Sequence, residues 1–195
     1  MKERFEKLLL SVNREGMDKL MEFIRKSDFY TAPASTRFHG AFEGGLLEHS
    51  LNVYDCLDKK TSGSEHNIWK GLLNTEISND SIVIVSLLHD LCKTYYYTTE
   101  MRNKKNEAGV WVQVPFYTVD DRIPYGHGEK SVMMIEEYIK LLPVERYAIR
   151  WHMGAYEPKE NWNTLGTAME KYPLVLALHE ADMEATYLME KKEDK

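Results

Sequence analysis

The sequence predicts a mainly α-helical bundle with a β-hairpin insertion at about residues 94–119. Apolar residues recur at helical spacing over residues 2–26 and again over about 46–60. The stretch SIVIVSLLHDLCK, residues 81–93, is apolar enough for a helix that crosses a core. After it, TYYYTTE and VWVQVPFYTV are rich in aromatic and β-branched residues, which favour strands. These observations together define the fold class.

The N-terminal third is predicted to be helical apart from one loop. Residues 2–26 indicate one bent or two short helices, because the apolar period is interrupted around Gly16. Residues 27–45 mix proline, serine, threonine and glycine, a composition typical of a loop that leads into the helix of about 46–60. A short helix is predicted near 66–73.

The middle of the chain carries the apolar helix and the hairpin. Asn79 or Asp80 is a suitable cap for the helix that continues to Lys93. The polar segment MRNKKNEAG between the two strand-like runs indicates a hairpin with a long connection. The hairpin aromatic residues either cover a site and stack on a base or pack against the helices; they are Tyr95, Tyr96, Tyr97, Trp111, Phe116 and Tyr117.

Helices are predicted to resume after the hairpin. Two of them, at about 128–141 and 143–152, are separated at Pro143. A loop that contains Pro158 and Gly166 then precedes a last helix of about 168–190.

Composition narrows the class of protein. The chain has 195 residues, 43% hydrophobic and 29% charged, values expected of one globular domain. Its net charge of −6 argues against broad electrostatic attraction to nucleic acid or to anionic membranes, so we expect no extended nucleic-acid surface. Cys56 and Cys92 lack metal-finger or redox spacing and are predicted to be buried free thiols. With neither a leader-like nor a membrane-spanning segment, the predicted location is the cytoplasm.

Histidines are the main candidates for chemistry; they are His39, His49, His66, His89, His127, His152 and His179. Taken singly, each is more often a surface or hydrogen-bonded core residue than a ligand. Several nevertheless lie in apolar surroundings: His49 within GGLLEHSLNV, His89 at the end of the most apolar helix, and His152 beside a tryptophan.

Asp182 lies in the mostly apolar helix LVLALHEADMEATYL and therefore needs a cation or several donors. A metal ion would meet that need, and imidazole with carboxylate suits Mn, Fe, Ni, Co or Zn, with Mg also possible. The adjacent His89 and Asp90 point about 100° apart on an ideal helix. Both can therefore reach one ion only near a helix end or along its edge, or they serve two ions.

Several motifs, in the same order along the chain, resemble a known family. LEHS, LLHDLCK and HEADME match the H…HD…D pattern of the HD superfamily of metal-dependent phosphohydrolases, over about residues 37–187. The pieces FHGAFEGGLLEHSLNV, GHGEKS, IRWHMG and ALHEADMEAT most resemble the HD module of YhaM-type 3′→5′ exoribonucleases and small bacterial and phage HD hydrolases. The resemblance implies a single HD domain over 1–195, with an N-terminal helical extension over 1–36 and an HD core over 37–190.

The resemblance also implies a set of site residues. The ligands of a first divalent metal would be His49, His89, Asp90 and Asp182. His127 and His152 would bind a second ion, with Asp90 bridging the two, although each could instead be a capping or substrate-facing histidine.

Lys93, Arg37 and His39 complete the candidates. Asp90 and Lys93 would be catalytic, with the ammonium of Lys93 against phosphate or, alternatively, solvated at a helix end. Arg37 and His39 would contact phosphate, but Arg37 is equally expected to be an ordinary surface residue.

The predicted reaction is hydrolysis of a phosphoester, monoester or diester, of a nucleotide or short oligonucleotide by a metal-activated water. Two alternatives remain open: a di-iron oxygenase built on the same ligands, and a non-catalytic regulatory module. Lys93 stands where HD nucleotidases for deoxynucleoside monophosphates tend to carry a glutamate, which argues against that subgroup.

Overall fold

The computed structural model describes residues 1–62, 68–73 and 77–190 as helices and one hairpin. The helices are α1 (Lys2–Leu10), α2 (Met17–Lys26), α3 (Gly45–Ser62), α4 (Ile68–Leu73), α5 (Asn79–Leu88), α6 (His127–Glu136), α7 (Pro143–Trp151), α8 (Trp162–Lys171) and α9 (Pro173–Glu184). Strands β1 (Tyr97–Lys105) and β2 (Trp111–Val119) pair antiparallel, in register from Tyr97 opposite Val119 to Lys105 opposite Trp111. The prediction of a mainly helical fold with a hairpin insertion is therefore confirmed. No helix in the described ranges has the length and hydropathy needed to cross a membrane.

The core is built around α5, whose residues from Ser81 to Leu88 are all buried. Helix α3 packs against both α5 and α9, and α7 packs against α5, α6 and α9. Residues of α1 and α2, among them Phe5 and Leu20, belong to the same buried cluster as α5. Burial of apolar surface on every side of α5 thus fixes the positions of the surrounding helix ends.

The N-terminal segment forms two helices, one of the two predicted alternatives. They are separated at Gly16, which has a φ of 88°. A Cβ atom at this position would collide with the backbone carbonyl of Tyr138. Glycine therefore allows both the left-handed turn and the close approach of the two segments.

The boundaries of α5 differ from the prediction. Neither Asn79 nor Asp80 is the cap: the Ser78 hydroxyl accepts a hydrogen bond of 3.2 Å from the backbone N–H of Ser81. The helix ends at Leu88 instead of continuing to residue 93, and a short 3₁₀ turn, Leu91–Lys93, follows. The cause of the break is Asp90, whose φ of −104° and ψ of 19° lie outside the helical range.

The C-terminal helices also differ from the prediction. The helix predicted over 168–190 is divided into α8 and α9, because Pro173 has no N–H and forces a non-helical conformation on Tyr172. Gly166 lies inside α8 and not in a loop. Helix α6 ends at Glu136 instead of about 141.

The hairpin is close to its predicted place, but its connection is short. Strand β1 includes most of the polar segment assigned to the connection, since both strands continue until only residues 106–110 lie between them. Strand β1 is exposed along nearly its whole length, which explains its polar composition. The helix predicted near 66–73 is present over its described part, and His66 and residue 67 lie outside the described residues.

Glu145 forms a buried polar contact that joins three parts of the bundle. Its carboxylate accepts hydrogen bonds from the Arg14 guanidinium at 2.5 and 3.0 Å, from the Ser81 hydroxyl at 2.7 Å and from the backbone N–H of Leu142 at 2.7 Å. Glu145 itself is fully buried. The N-terminal segment, α5 and α7 are therefore connected through one carboxylate.

We expect Glu145→Gln to lower the free energy of unfolding by about 3 kcal/mol, because Arg14 would keep its charge without a partner. Urea unfolding monitored by circular dichroism measures the change. The control is Glu22→Gln, which removes an exposed carboxylate paired with Lys26 and should leave the midpoint unchanged. Equal effects of the two substitutions would contradict this account of the buried pair.

Candidate metal centre

Side chains from three helices and from the C-terminal ends of two more converge beside the end of α5. Helix α3 contributes His49, the end of α5 contributes His89 and Asp90, α6 begins with His127, α7 ends at His152, and α9 contributes Asp182. All six residues suggested by the motif resemblance therefore lie in one cluster. Their role as metal ligands stays a prediction, but their convergence is a property of the fold.

The first group of donor atoms surrounds His49 Nε2. This atom lies 3.3 Å from His89 Nε2, 3.2 Å from Asp182 Oδ1 and 3.6 Å from Asp90 Oδ2. Nitrogen and oxygen donors at such separations can bind one cation, because each donor atom would need to move only a short distance to lie about 2.0–2.2 Å from an ion between them.

The second group lies on the other side of Asp90. Its Oδ1 atom is 2.7 Å from His127 Nε2 and 3.6 Å from His152 Nε2. The two carboxylate oxygens of Asp90 therefore face different groups of donors. This geometry suits a carboxylate that bridges two ions.

The early end of α5 explains how His89 and Asp90 can act together. His89 is the last residue with helical backbone angles, and Asp90 has already left the helix. Their side chains consequently converge, with His89 Nε2 3.5 Å from Asp90 Oδ2. On an uninterrupted helix these neighbours would point about 100° apart.

Backbone carbonyls orient two of the imidazoles. The Nδ1 atom of His89 is 2.9 Å from the Ser86 carbonyl, and that of His152 is 2.7 Å from the Ile149 carbonyl. Each Nδ1 must therefore carry the proton, which directs the Nε2 lone pair into the cluster. His152 Nε2 is buried without a hydrogen-bond partner in the described part of the chain. A buried Nε2 atom with a free lone pair beside two carboxylates is expected of a histidine that binds a metal ion.

The cluster holds charge in a buried setting. Burial lowers the pKa of His49, but Asp182 and Glu190 outweigh that effect and raise it to about 10. His89 has no such compensation, and burial lowers its pKa to about 4. Burial would raise the pKa of Asp90, yet Lys93 and His89 hold it well below its usual value. Asp90 is thus anionic at neutral pH.

Lys93 is part of the site and not a solvated helix-end residue. Its Nζ lies 2.6 Å from Asp90 Oδ2, and only 12% of its side chain is exposed. Burial lowers the pKa of Lys93, but the adjacent Asp90 carboxylate raises it overall. The ammonium group therefore stays charged next to the oxygen that faces the first donor group.

Arg37 and His39 lie at the edge of the same site. The Arg37 guanidinium is exposed and lies 5.0 Å from the centre of the Phe38 ring. The His39 ring is 4.9 Å from the His49 ring, and its Nε2 is buried without a partner in the described ranges. Both residues line the cavity.

A cavity of about 530 Å³ opens onto the cluster. Asp90, Lys93, His127, His152 and Asp182 line it, and apolar or aromatic side chains form much of its remaining surface. Phe38 and Tyr156, 64% and 63% exposed, stand at its edge with Tyr187, whose hydroxyl is 3.1 Å from that of Tyr156. The cavity thus combines charged and polar side chains with aromatic and apolar ones.

Several cavity residues were not identified from the sequence. Glu190 contacts His49, and Tyr156, Tyr187 and His179 lie in the wall. The hairpin aromatic residues, in contrast, do not line this cavity. A tyrosine or glutamate outside a motif carries no signal of its own, whereas His179 begins the motif HEADME and was a candidate histidine to which no role was assigned.

Comparison with known proteins gives one relative. No family model and no solved structure matches the chain. The chain is similar to the dihydroneopterin 2′,3′-cyclic phosphate phosphodiesterase of Methanocaldococcus jannaschii, with 35% identity over 128 residues. The match covers 65% of this chain and 44% of that protein, so the chain spans less than half the length of this relative. The more specific resemblance to the exoribonuclease module stays a prediction.

The charged state of His49 predicts a pH dependence for the metal-free chain. Because its pKa is raised from 6.5 to about 10, its stabilising effect is complete below pH 6.5 and is lost as pH rises towards 10. We expect the free energy of unfolding to fall by on the order of 2 kcal/mol between pH 6.5 and 8.5. Urea unfolding in the presence of a chelator measures it.

His49→Gln is the matched variant for this measurement. It should reduce the fall markedly but not remove it, since the pKa of His152 is also raised by nearby carboxylates that outweigh its burial. A metal-free wild-type chain whose stability does not change over this interval would contradict a charged His49.

Proposed function

We propose that this chain is a metal-dependent phosphohydrolase of the HD superfamily, and more specifically a phosphodiesterase. The observation that carries the proposal is the position of Asp90 between two groups of buried histidines, with its two oxygens facing different groups. Similarity to a curated phosphodiesterase supports the same reaction class. We also keep the single HD domain over 1–195 and a cytoplasmic location as proposals.

The donor set fits divalent transition metals. The motif resemblance assigns the first ion to His49, His89, Asp90 and Asp182, and the second to Asp90, His127 and His152. Donor atoms of His49, His89 and Asp90 lie within 4.8 Å of one another, as do those of the second set, while Asp182 lies 3.2 Å from His49 and also groups with His89 and His152. Imidazole nitrogen with carboxylate oxygen favours Mn, Fe, Ni, Co or Zn over Ca, whose sites consist of oxygen alone. Two such ions about 3.5–4 Å apart would lower the pKa of a shared water and neutralise charge on a phosphoryl group.

The protein contributes orientation and positive charge. Asp90 fixes the separation of the two donor groups, and the carbonyls of Ser86 and Ile149 hold two imidazoles in the orientation that ligation requires. Lys93 lies between Asp90 and the cavity, where its ammonium can act as a point charge against a phosphate oxygen. We propose Arg37 and His39 as further phosphate contacts from the opposite edge.

The shape of the cavity favours a small substrate that carries a ring system. A volume of about 530 Å³ is in the range of small-ligand sites. Phe38, Tyr156 and Tyr187 offer ring faces for stacking near the charged side chains. We therefore propose a nucleotide-sized cyclic phosphodiester as the substrate class, with a pterin or nucleobase ring, and a short oligonucleotide as the alternative.

The decisive experiment combines metal analysis with hydrolysis by the purified chain. The wild type should bind about one or two ions per chain and, with Mn²⁺, hydrolyse at least one substrate among mononucleotides, 2′,3′-cyclic nucleotides, dihydroneopterin 2′,3′-cyclic phosphate and short RNA. We expect Asp90→Asn to lower metal content and to reduce turnover more than about 100-fold, since losing even an outer partner of a ligand costs 10–100-fold.

Asp120→Asn is the control, because it changes an exposed acidic residue that pairs with Arg122. It should retain both metal and activity. Unchanged metal content and turnover in Asp90→Asn would contradict the proposal. Oxygen uptake together with an iron spectrum, in the absence of hydrolysis, would favour the di-iron oxygenase instead.

Lys93→Ala tests whether Lys93 acts on the phosphate of the substrate or supports metal binding. We expect turnover to fall roughly 10–100-fold, about 1.4–2.7 kcal/mol of transition-state stabilisation. Mn²⁺ should bind as tightly as before or more tightly, because the ammonium that competes for Asp90 is gone. Steady-state kinetics and a metal titration measure the two effects.

Two further lysine variants complete this test. Lys93→Arg keeps the charge and should recover part of the activity. Lys171→Ala removes an exposed lysine at the end of α8 and should change nothing. Loss of bound metal in Lys93→Ala would show that the residue supports the centre rather than the substrate.

A further inference from the structure

Glu190 is a buried carboxylate to which the proposed reaction assigns no role. Only 4% of its side chain is exposed. Its two oxygens lie 3.1 and 3.2 Å from Nδ1 of His49, and Asn52 donates a hydrogen bond of 2.9 Å to one of them. A carboxylate is costly to bury, so its position on this imidazole requires a physical reason.

A local change in helix geometry brings Glu190 to His49. Helix α9 continues into a π turn, Ala185–Met189, and the Glu190 N–H bonds to the Ala185 carbonyl at 3.0 Å. On a regular α-helix, a residue eight positions after Asp182 would be rotated by about 80° from it. The additional residue in the wider turn offsets part of this rotation. Both carboxylates of one element therefore face the same imidazole.

The two carboxylates contact opposite nitrogens of His49. Asp182 Oδ1 is 3.2 Å from Nε2, in the first donor group, and Glu190 is on the Nδ1 side. A carboxylate only accepts hydrogen bonds, so Glu190 favours a proton on Nδ1. With Nδ1 protonated, Nε2 is the nitrogen that would lose its proton when His49 binds an ion in the donor group.

We propose that Glu190 is a positioning residue that orients His49 and increases its strength as a metal ligand. The inference rests on the proposed function, because it takes Nε2 of His49 to bind an ion. His89 and His152 are oriented by neutral backbone carbonyls, whereas His49 has a charged acceptor. Carboxylate–histidine pairs of this kind raise the basicity of the ligand and fix the orientation of its ring.

A third ion is the competing explanation. Donor atoms of His39, His49 and Glu190 also lie within 4.8 Å of one another. An ion held there would need the Nδ1 lone pair of His49, which is available only if the imidazole carries no proton on that atom. Binding through Nε2 at the same time would then require an imidazolate. Orientation by Glu190 requires only the neutral imidazole.

Equilibrium Mn²⁺ affinity of the metal-free chain tests the proposal without any activity assay. Glu190→Met removes the acceptor at similar size, and Glu190→Gln keeps an oxygen acceptor but no charge. We expect about 10–100-fold weaker binding in Glu190→Met and a smaller loss in Glu190→Gln. Glu180→Gln, on α9 and in contact with Lys60, is the matched control and should bind as the wild type does.

The outcomes separate the possible explanations. A chelator competition gives affinity and stoichiometry, and thermal unfolding of the metal-free variants tests their folding. Binding by Glu190→Gln that is weaker than that of the wild type but stronger than that of Glu190→Met supports orientation. If Glu190→Met does not fold, weaker binding by Glu190→Gln than by the wild type and by Glu180→Gln supports it. Wild-type affinity in Glu190→Gln and Glu190→Met, or the loss of one whole ion from either, would overturn the inference while leaving the proposed function intact. No metal binding by the wild type would overturn both.

Discussion

The candidate site depends on one electrostatic constraint: two carboxylates, Asp90 and Asp182, are held among buried imidazoles, with only 3% and 18% of their side chains exposed to water. Without an ion, that charge is balanced by protons and by Lys93, whose Nζ is 2.6 Å from Asp90, and by a His49 imidazolium with a pKa of about 10. Divalent ions could replace these positive charges without moving the backbone. The same carboxylates thus determine both the protonation of the metal-free chain and the affinity for a cation.

The scaffold supplies this constraint by fixing helix ends. Helix α5 is buried on all sides, so its C-terminal end has a single position relative to α3, α7 and α9. Side chains at such an end diverge less than side chains within a helix, because the backbone changes direction there. His89 and Asp90 can consequently serve the same cluster, which a continuous helix would prevent. The packing of the core therefore determines the geometry of the site.

The sequence was sufficient for the fold class and the convergence of six side chains, but not for the details of contact. The spacing of apolar residues locates helices, because one face of each helix is buried. A polar residue in an apolar helix, such as Asp182, indicates where a partner is needed. Helix ends depend on single backbone angles and on prolines, which explains the wrong boundaries near residue 93 and at Tyr172. Lys93 could be recognised as a candidate, yet its pairing with Asp90 follows from the 3₁₀ turn, which no pattern indicated.

The contact of Glu190 with His49 could not be predicted from the sequence, for a different reason. Motif spacing assumes regular helices, and on a regular helix a residue eight positions beyond Asp182 faces elsewhere by about 80°. The π turn alters that relation and places a carboxylate against the nitrogen of His49 that points away from the other ligands. A histidine between two carboxylates from one element is held at both nitrogens, so its ring has little freedom to rotate. The geometry of His49 as a candidate ligand therefore depends on an irregularity that lies beyond the motif itself.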